Sequence, residues 1–491
     1  MGQITRTRPV LARVAVGLGV AGLLAGACSS SSESGSTSTT MVRTSGPAQP
    51  AFDVSGVSFA EVTEPGEPVL SAGETLEEID YSETEHLMSG TAGTYEGAAN
   101  EPATATGTST PYTTRILVRL PSEPERFSGR VVVEPLNTSA GAENDVVWKQ
   151  VYETFASEGD GWIGVTERST SPPLLVEAVP GRYDALQLQT NGLAWDILSQ
   201  LGGVLKAEVP SSPLGSLDVE HVYMGGFSQS GIETGTYSSS ISDGALMDDG
   251  TTVYDGFLVM ARSGSLTPLE SGTALAPAFE HLPLGKSSAP VVDLETQTDV
   301  QGFETDEYTS PSGAEVRRAD ADVEGDRYAL REIPGAPHAP SISGCGDGST
   351  FPTSSFVRAA WVALTRWVEE GEAPMQMARI DTRSIGTVSP VAVDAVGNAE
   401  GGARSPWVDV PLSTYEGNSP GGVFCQLAGL ETPLDASVLA TLYPDADAYL
   451  AEFEQSLDDR ISAGLILESE RDELIADASA KAAGRLPATA G

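Results

Sequence analysis

Positive charge is what this chain has least of: 27 lysines and arginines stand against 69 aspartates and glutamates, a formal net charge of −42. Its only lysines are Lys149, Lys206, Lys286 and Lys481. So acidic a chain repels phosphate backbones, which argues against nucleic acid as a partner. The acids are scattered through apolar-patterned sequence and not gathered in a tail, so they read as a solvated surface. Histidine is scarce, with 4 in 491 residues, and cysteine scarcer, with 3. No group of these residues has metal-ligand spacing, so neither a metal nor another cofactor is expected. The apolar stretch near the N-terminus falls short of the about 20 residues that a transmembrane helix needs.

That stretch has a different meaning. Arg6 and Arg8 precede Val14-Ala15-Val16-Gly17-Leu18-Gly19-Val20, and Leu24-Ala25-Gly26-Ala27-Cys28 closes the segment. A basic start, a short apolar middle and small residues before a cut predict an export signal over residues 1–28. A cysteine directly after those small residues resembles the lipobox of bacterial lipoproteins, although Ala25 departs mildly from the usual aliphatic residue. Cys28 is then the lipidated first residue of the mature chain, anchoring it to the outer face of the cell membrane; a plain signal would leave it secreted. Residues 29–50, rich in Ser, Thr and Gly, cannot bury a core and read as a flexible tether. Two cysteines remain, Cys345 and Cys425, an even number in a compartment where disulfides persist. They are expected to be bonded, with two separate thiols as the alternative.

Strand-like runs alternate with helical stretches through the middle of the chain, which predicts α/β architecture with a largely parallel sheet. The strand candidates are 114–120, 130–134, 161–166, 221–224, 256–260 and 289–294. The central ones are nearly continuous apolar runs, as expected of strands covered on both faces. Residues 192–201 suit a crossover helix, and 355–370 carry Phe356, Ala360, Leu364 and Trp367 at helical spacing on one face. Residues 263–288, rich in Ser, Pro and Gly, form a candidate lid. From Met375 the pattern is irregular until a helical tail around 447–480. Residues 51–491 are therefore read as one elaborated domain, with 375–491 as a C-terminal extension.

Directly after the strand-like Val222-Tyr223-Met224 stands Gly226-Phe227-Ser228-Gln229-Ser230-Gly231. A nucleophilic serine on a sharp strand-to-helix turn needs small residues two places to either side, and Gly226 and Ser230 supply them around Ser228. Ser230 itself has Ile232 two places on, whose branched side chain would crowd such a turn, so Ser230 reads as a packing residue. The serine needs a base, and the base needs an acid. His86 lies before the sheet core, His221 at the far end of its strand and His281 in the candidate lid. His338, in Ile333-Pro334-Gly335-Ala336-Pro337-His338, follows all the parallel strands and is the favoured base. The acid is expected just past the strand at 289–294, with Asp299 the choice and Glu295 the reserve. Two backbone N–H groups should hold the oxyanion, one from Gln229 and the other from Leu136 or Asn137 in the loop after the strand at 130–134.

Serine, acid and histidine then follow one another in the order found in α/β-hydrolases. The elbow at 226–231, together with 81–90, 182–186, 296–299, 335–338 and 397–406, resembles an α/β-hydrolase domain family whose elbow reads glycine-x-serine-glutamine-serine-glycine. The resemblance covers most of the mature chain. It implies an α/β-hydrolase fold, a mostly parallel central sheet flanked by helices, with Ser228, His338 and an acid near Asp299 as the triad. The expected activity is hydrolysis of a small-molecule carboxylic ester through an acyl-enzyme. An amidase, peptidase or acyltransferase on the same triad, and a non-catalytic ligand-binding surface lipoprotein, are the alternatives.

Overall fold

A computed structural model describes residues 51–487 except 208–211, 271, 273–277, 307, 340–341, 343–344, 346–347 and 384–386. The signal, Cys28 and the whole tether at 29–50 thus lie outside the described residues. Ten strands form the main sheet: β1 (Ser58–Glu61), β2 (Tyr81–Glu96), β3 (Thr104–Pro121), β4 (Arg130–Pro135), β5 (Gly161–Val165), β6 (His221–Phe227), β7 (Gly256–Met260), β8 (Val291–Thr296), β9 (Ala321–Val323) and β10 (Asp326–Ile333). Their order is β1-β2-β3-β5-β4-β6-β7-β8-β10-β9. Pairing is parallel from β5 through β4, β6, β7 and β8 to β10, and antiparallel at both margins.

The apolar runs occupy the parallel centre for the reason anticipated: successive side chains face opposite layers, and both layers are dry. Val131 and Val133 enter one core with Trp195, Leu198 and Leu201; Val132 enters the other with Trp148, Phe155 and Trp361. Strand β6 repeats the pattern, with Val222 and Met224 on one side and Tyr223 on the other. Helix α1 (Val146–Glu158) and helix α5 (Thr353–Glu369) contribute to the Trp148 layer, and α2 (Ala194–Lys206) to the opposite one.

One element differs from expectation and another was not anticipated. The segment around His86 is no outlier before the sheet; it lies in β2, half of a long antiparallel hairpin with β3. Its Ser, Thr and Gly content hides the strand, and the hydroxyls pair across it, Ser89 with Thr113 at 3.0 Å. Helix α1, which no expectation covered, begins with two β-branched valines. Its first turn is capped by Glu134, whose carboxylate accepts from the N–H groups of Val147 at 2.8 Å and Trp148 at 3.1 Å. The helical tail is two helices, α7 (Ala446–Ser462) and α8 (Arg471–Ala483), both packed into the Trp148 layer.

Candidate active site

Strand β6 ends at Phe227, Ser228 turns the chain, and helix α3 (Gln229–Thr236) starts at the next residue. Ser228 takes φ 57° and ψ −120°, a strained backbone region for a residue with a side chain. The turn is so tight that a Cβ on Gly226 would stand 2.2 Å from the Ser230 carbonyl oxygen, and one on Gly231 2.1 Å from that of Met260. Ser230 is fully buried; its hydroxyl accepts from the Phe227 N–H at 3.0 Å and lies 3.0 Å from the Phe227 carbonyl, bracing the turn. Gly231, not singled out in the sequence, is as constrained as Gly226. Its place just inside the helix start was the available signal.

His338 lies in the loop after β10, and Asp299 in α4 (Gln297–Gln301), which follows β8. All three parent strands are parallel, so their carboxyl ends deliver the three side chains to one edge of the sheet. His338 Nε2 stands 3.0 Å from Ser228 Oγ, and His338 Nδ1 2.8 Å from Asp299 Oδ1. The loop is tied to the acid's helix: the His338 N–H donates to Thr298 Oγ1 at 3.0 Å, and the Gly335 N–H to Gln297 Oε1 at 2.7 Å.

Asp299 is fully buried. Burial alone would raise its carboxyl, but the His338 imidazole and hydrogen bonds from His338, Thr296 and Ser263 together hold it below its ordinary value. Ser263 Oγ donates to Asp299 Oδ1 at 2.7 Å, and Thr296 Oγ1 to Asp299 Oδ2 at 2.5 Å. Ser263 was not anticipated, and its role follows from a backbone conformation, φ 50°, that no motif announces. Glu295, the reserve acid, takes no part in the chain. Its Oε2 accepts from the Ser263 N–H at 3.1 Å, and burial, with Asp293 and Asp299 beside it, pushes its carboxyl well up.

The oxyanion loop differs from the expectation in its details. The Leu136 N–H donates to Val165 O at 3.0 Å and the Asn137 N–H to Asn144 O at 3.1 Å, so both amides already have acceptors in the ladder and the loop bridge. Side chains connect this loop to the elbow instead. Asn137 Nδ2 donates to Phe227 O at 2.8 Å, and Gln229 Oε1 accepts from the Thr138 N–H at 2.8 Å. The Gln229 N–H belongs to the first turn of α3, where amides point out along the helix axis.

Above Ser228 opens a cavity of about 290 Å³ that both Ser228 and His338 line. Its walls are largely apolar: Ile232, Phe279, Phe303, Tyr308, Phe424 and Leu427. Arg262 also reaches it, 3.3 Å from Asp293. Burial works against the Arg262 charge, but Asp293 and Glu295 more than restore it. Ser263, Ser265 and Phe279, from the candidate lid segment, form part of the same wall, and the short strand Ser265–Leu266 pairs with Glu280–His281. Val423 and Phe424 of helix α6 (Val423–Gln426) also line the cavity. Cys425 on that helix is disulfide-bonded to Cys345, beyond the histidine loop.

The other histidines lie apart from the serine: His86 Nε2 meets Thr84, His221 faces Asp255 and His281 pairs with Ser265. Other segments that carried the resemblance have structural partners. Tyr183 donates to Glu85 Oε1 at 2.9 Å and Arg182 pairs with the same carboxylate, while Asn398 Oδ1 accepts from the Tyr415 N–H at 2.7 Å. Among the described residues no group of histidines, cysteines and acids is arranged to hold a metal ion.

Sheet order, crossover helices and a serine on an elbow define an α/β-hydrolase fold. Residues 49–476 match the model of a family described as an alpha/beta hydrolase domain, and the chain belongs to that family. No curated protein matches its sequence significantly. Among solved structures it is similar to an α/β serine hydrolase without a lid from Xanthomonas campestris, at 12% identity over 57% of this chain and 95% of that one, TM-score 0.29. It is also similar to esterase 2 of Thermogutta terrifontis, at 10% identity over 65% and 96% of the two chains, TM-score 0.29.

Proposed function

We propose that the protein is an exported serine hydrolase that cleaves carboxylic esters through an acyl-enzyme on Ser228. The observation that supports this is the unbroken chain from Ser228 Oγ through His338 to the buried Asp299, opening into a largely apolar cavity. His338 Nε2 takes the proton as Ser228 Oγ attacks the ester carbonyl, and Asp299 stabilises the imidazolium that results. The same proton then leaves with the alcohol. Water, deprotonated by His338, releases the acid from the serine. The Gln229 N–H supplies one oxyanion donor. The Leu136 and Asn137 amides are engaged, and the Ser139 hydroxyl, which borders the cavity, serves as the second donor only by giving up its bond to Asn137 Oδ1 at 2.7 Å. Ser263, Ser265 and Phe279 of the candidate lid act as a partial cover, and Val423, Phe424 and Leu427 of the C-terminal extension as a further wall.

The test is turnover of a short-chain p-nitrophenyl ester with labelling by a fluorophosphonate. Wild type should hydrolyse the ester and label at Ser228. Full activity in Ser228→Ala would refute the reading. Export and lipid attachment rest on the pattern at residues 1–28; Cys28→Ser should move the protein out of the membrane fraction, and an unchanged distribution would count against the anchor.

A further inference from the structure

Beside the catalytic pocket lies a second, larger cavity of about 660 Å³, against about 290 Å³ for the first. Phe303 lines both. The helical turn α6 contributes to both as well, Val423 and Phe424 to the serine's pocket and Gln426 to its neighbour. Phe303 and α6 thus form the partition between the two spaces, and a substrate that reached both from Ser228 would have to pass them.

The two cavities differ in chemistry. The serine's pocket sets aliphatic and aromatic side chains among serines and Arg262, whereas its neighbour, beside Val388, Pro390, Val391 and Val393, carries four carboxamides, Gln297, Gln301, Asn418 and Gln426, and two carboxylates, Glu304 and Glu416. A carboxamide offers both donors and acceptors, as a hydroxyl group does, and a carboxylate accepts from hydroxyls. Neither lysine nor arginine is among the described residues that line it, which disfavours an anionic ligand. One acceptor is unmet: Asn418 Nδ2 donates to Gly302 O at 3.1 Å, but Asn418 Oδ1, shielded from solvent, has no donor among the described residues. That oxygen has no accessible surface, so Asn418 serves the cavity as a wall residue held by Gly302 and not as a contact for a ligand.

We propose that this cavity is the leaving-group subsite, and that it takes an uncharged, hydroxyl-rich alcohol of the kind a sugar presents, while the apolar pocket takes the acyl group. The proposal rests on the Ser228 hydrolase reading and narrows it to a substrate class. It is tested with three esters of one butyryl group, on ethanol, on the 6-hydroxyl of glucose and on choline, using the full chain and the double variant Gln301→Ala/Gln426→Ala. Neither glutamine belongs to the triad or its bracing. Wild type should favour the glucose ester over the ethyl ester by tenfold or more in kcat/KM. The double variant should lose most of that advantage through KM and keep the ethyl ester within twofold. Equal rates on the ethyl and glucose esters, an equal loss on both in the variant, or preference for the choline ester would overturn the subsite while leaving the hydrolase reading intact. Absence of hydrolysis of all three by wild type would sink both readings together.

Discussion

Replacing Asp299 by asparagine separates the two acids that follow β8. Asp299 Oδ1 faces His338 Nδ1 at 2.8 Å and the Ser263 hydroxyl at 2.7 Å, while Oδ2 faces the Thr296 hydroxyl at 2.5 Å and the Thr296 N–H at 3.2 Å. Every group around the carboxylate can donate, and an asparagine offers one acceptor where the aspartate has two. If its NH₂ turns toward His338, Nδ1 must accept, the ring proton moves to Nε2, and the base can no longer take a proton from Ser228. If the NH₂ turns the other way it meets the Thr296 N–H, donor against donor, at a cost of about 1 to 3 kcal/mol. In both orientations the imidazolium formed during attack loses its counter-charge. Loss of the correct tautomer in a serine triad costs about 10⁴-fold, or about 5 kcal/mol of barrier at 1.36 kcal/mol per tenfold. Glu295→Gln should behave differently. Burial and the neighbouring acids push its carboxyl up, and its Oε2 accepts from the Ser263 N–H and not from His338, so an amide of the same shape leaves the histidine's partner in place. The assay is kcat/KM for a p-nitrophenyl ester at pH 7.5, with circular dichroism to establish folding. Asp299→Asn should fall about 10⁴-fold and Glu295→Gln by less than about threefold. A folded Asp299→Asn within tenfold of wild type, or a larger loss at Glu295, would refute the assignment.

Three further outcomes follow from the packing and the buried charges. Gly226→Ala places a Cβ 2.2 Å from the Ser230 carbonyl and 2.4 Å from Thr234 Oγ1, so it should lower the urea midpoint by the equivalent of about 3 kcal/mol and abolish turnover. Cys345→Ser/Cys425→Ser opens a loop of 80 residues and should cost about 2 to 4 kcal/mol in the same denaturation experiment; an unchanged midpoint would count against the bridge as a stabiliser. Burial raises Glu134 to about 8, with Asp145 adding to it, and raises Asp160 to about 6. Groups that bind protons more tightly when folded stabilise fully below their unfolded values, near 4, and lose that contribution as pH rises through the folded ones. Thermal melts should therefore show a lower midpoint at pH 8 than at pH 5, with a shallower decline in Glu134→Gln.

What could be read in advance depended on whether the determining contacts are near in sequence. Val131-Val132-Val133 and Phe257-Leu258-Val259-Met260 declare buried strands by composition alone, because both their faces are covered. The elbow is legible because steric demands on Gly226 and Ser230 act over two residues. The hairpin of β2 and β3 was obscured, since its hydroxyl ladders require knowing which strand lies opposite. Helix α1 hid behind Val146 and Val147, and the carboxylate that caps it comes from Glu134, on the preceding strand. The oxyanion loop is the sharpest case: loop and elbow are joined through side chains, Asn137 to Phe227 and Gln229 to Thr138, and only the partners of the Leu136 and Asn137 amides show that those amides are engaged. Ser263 left no trace, since its contact with Asp299 depends on a positive φ after β7.

The wall built by α6 bears on the order of events in synthesis. A ribosome delivers Ser228, Asp299 and His338 long before Val423, Phe424 and Leu427, yet these last residues complete the pocket around the serine. The histidine loop waits for them as well: the Ala339 N–H donates to Leu427 O at 2.9 Å, and Thr298, which accepts from the His338 N–H, donates in turn to Gly417 O. A nascent chain that already holds all three reactive groups thus lacks the surface that would seat a substrate and the contacts that steady its base. The pocket is complete only once residues 417–427 have been made, and a message truncated before codon 417 would encode Ser228, Asp299 and His338 without the wall that faces them.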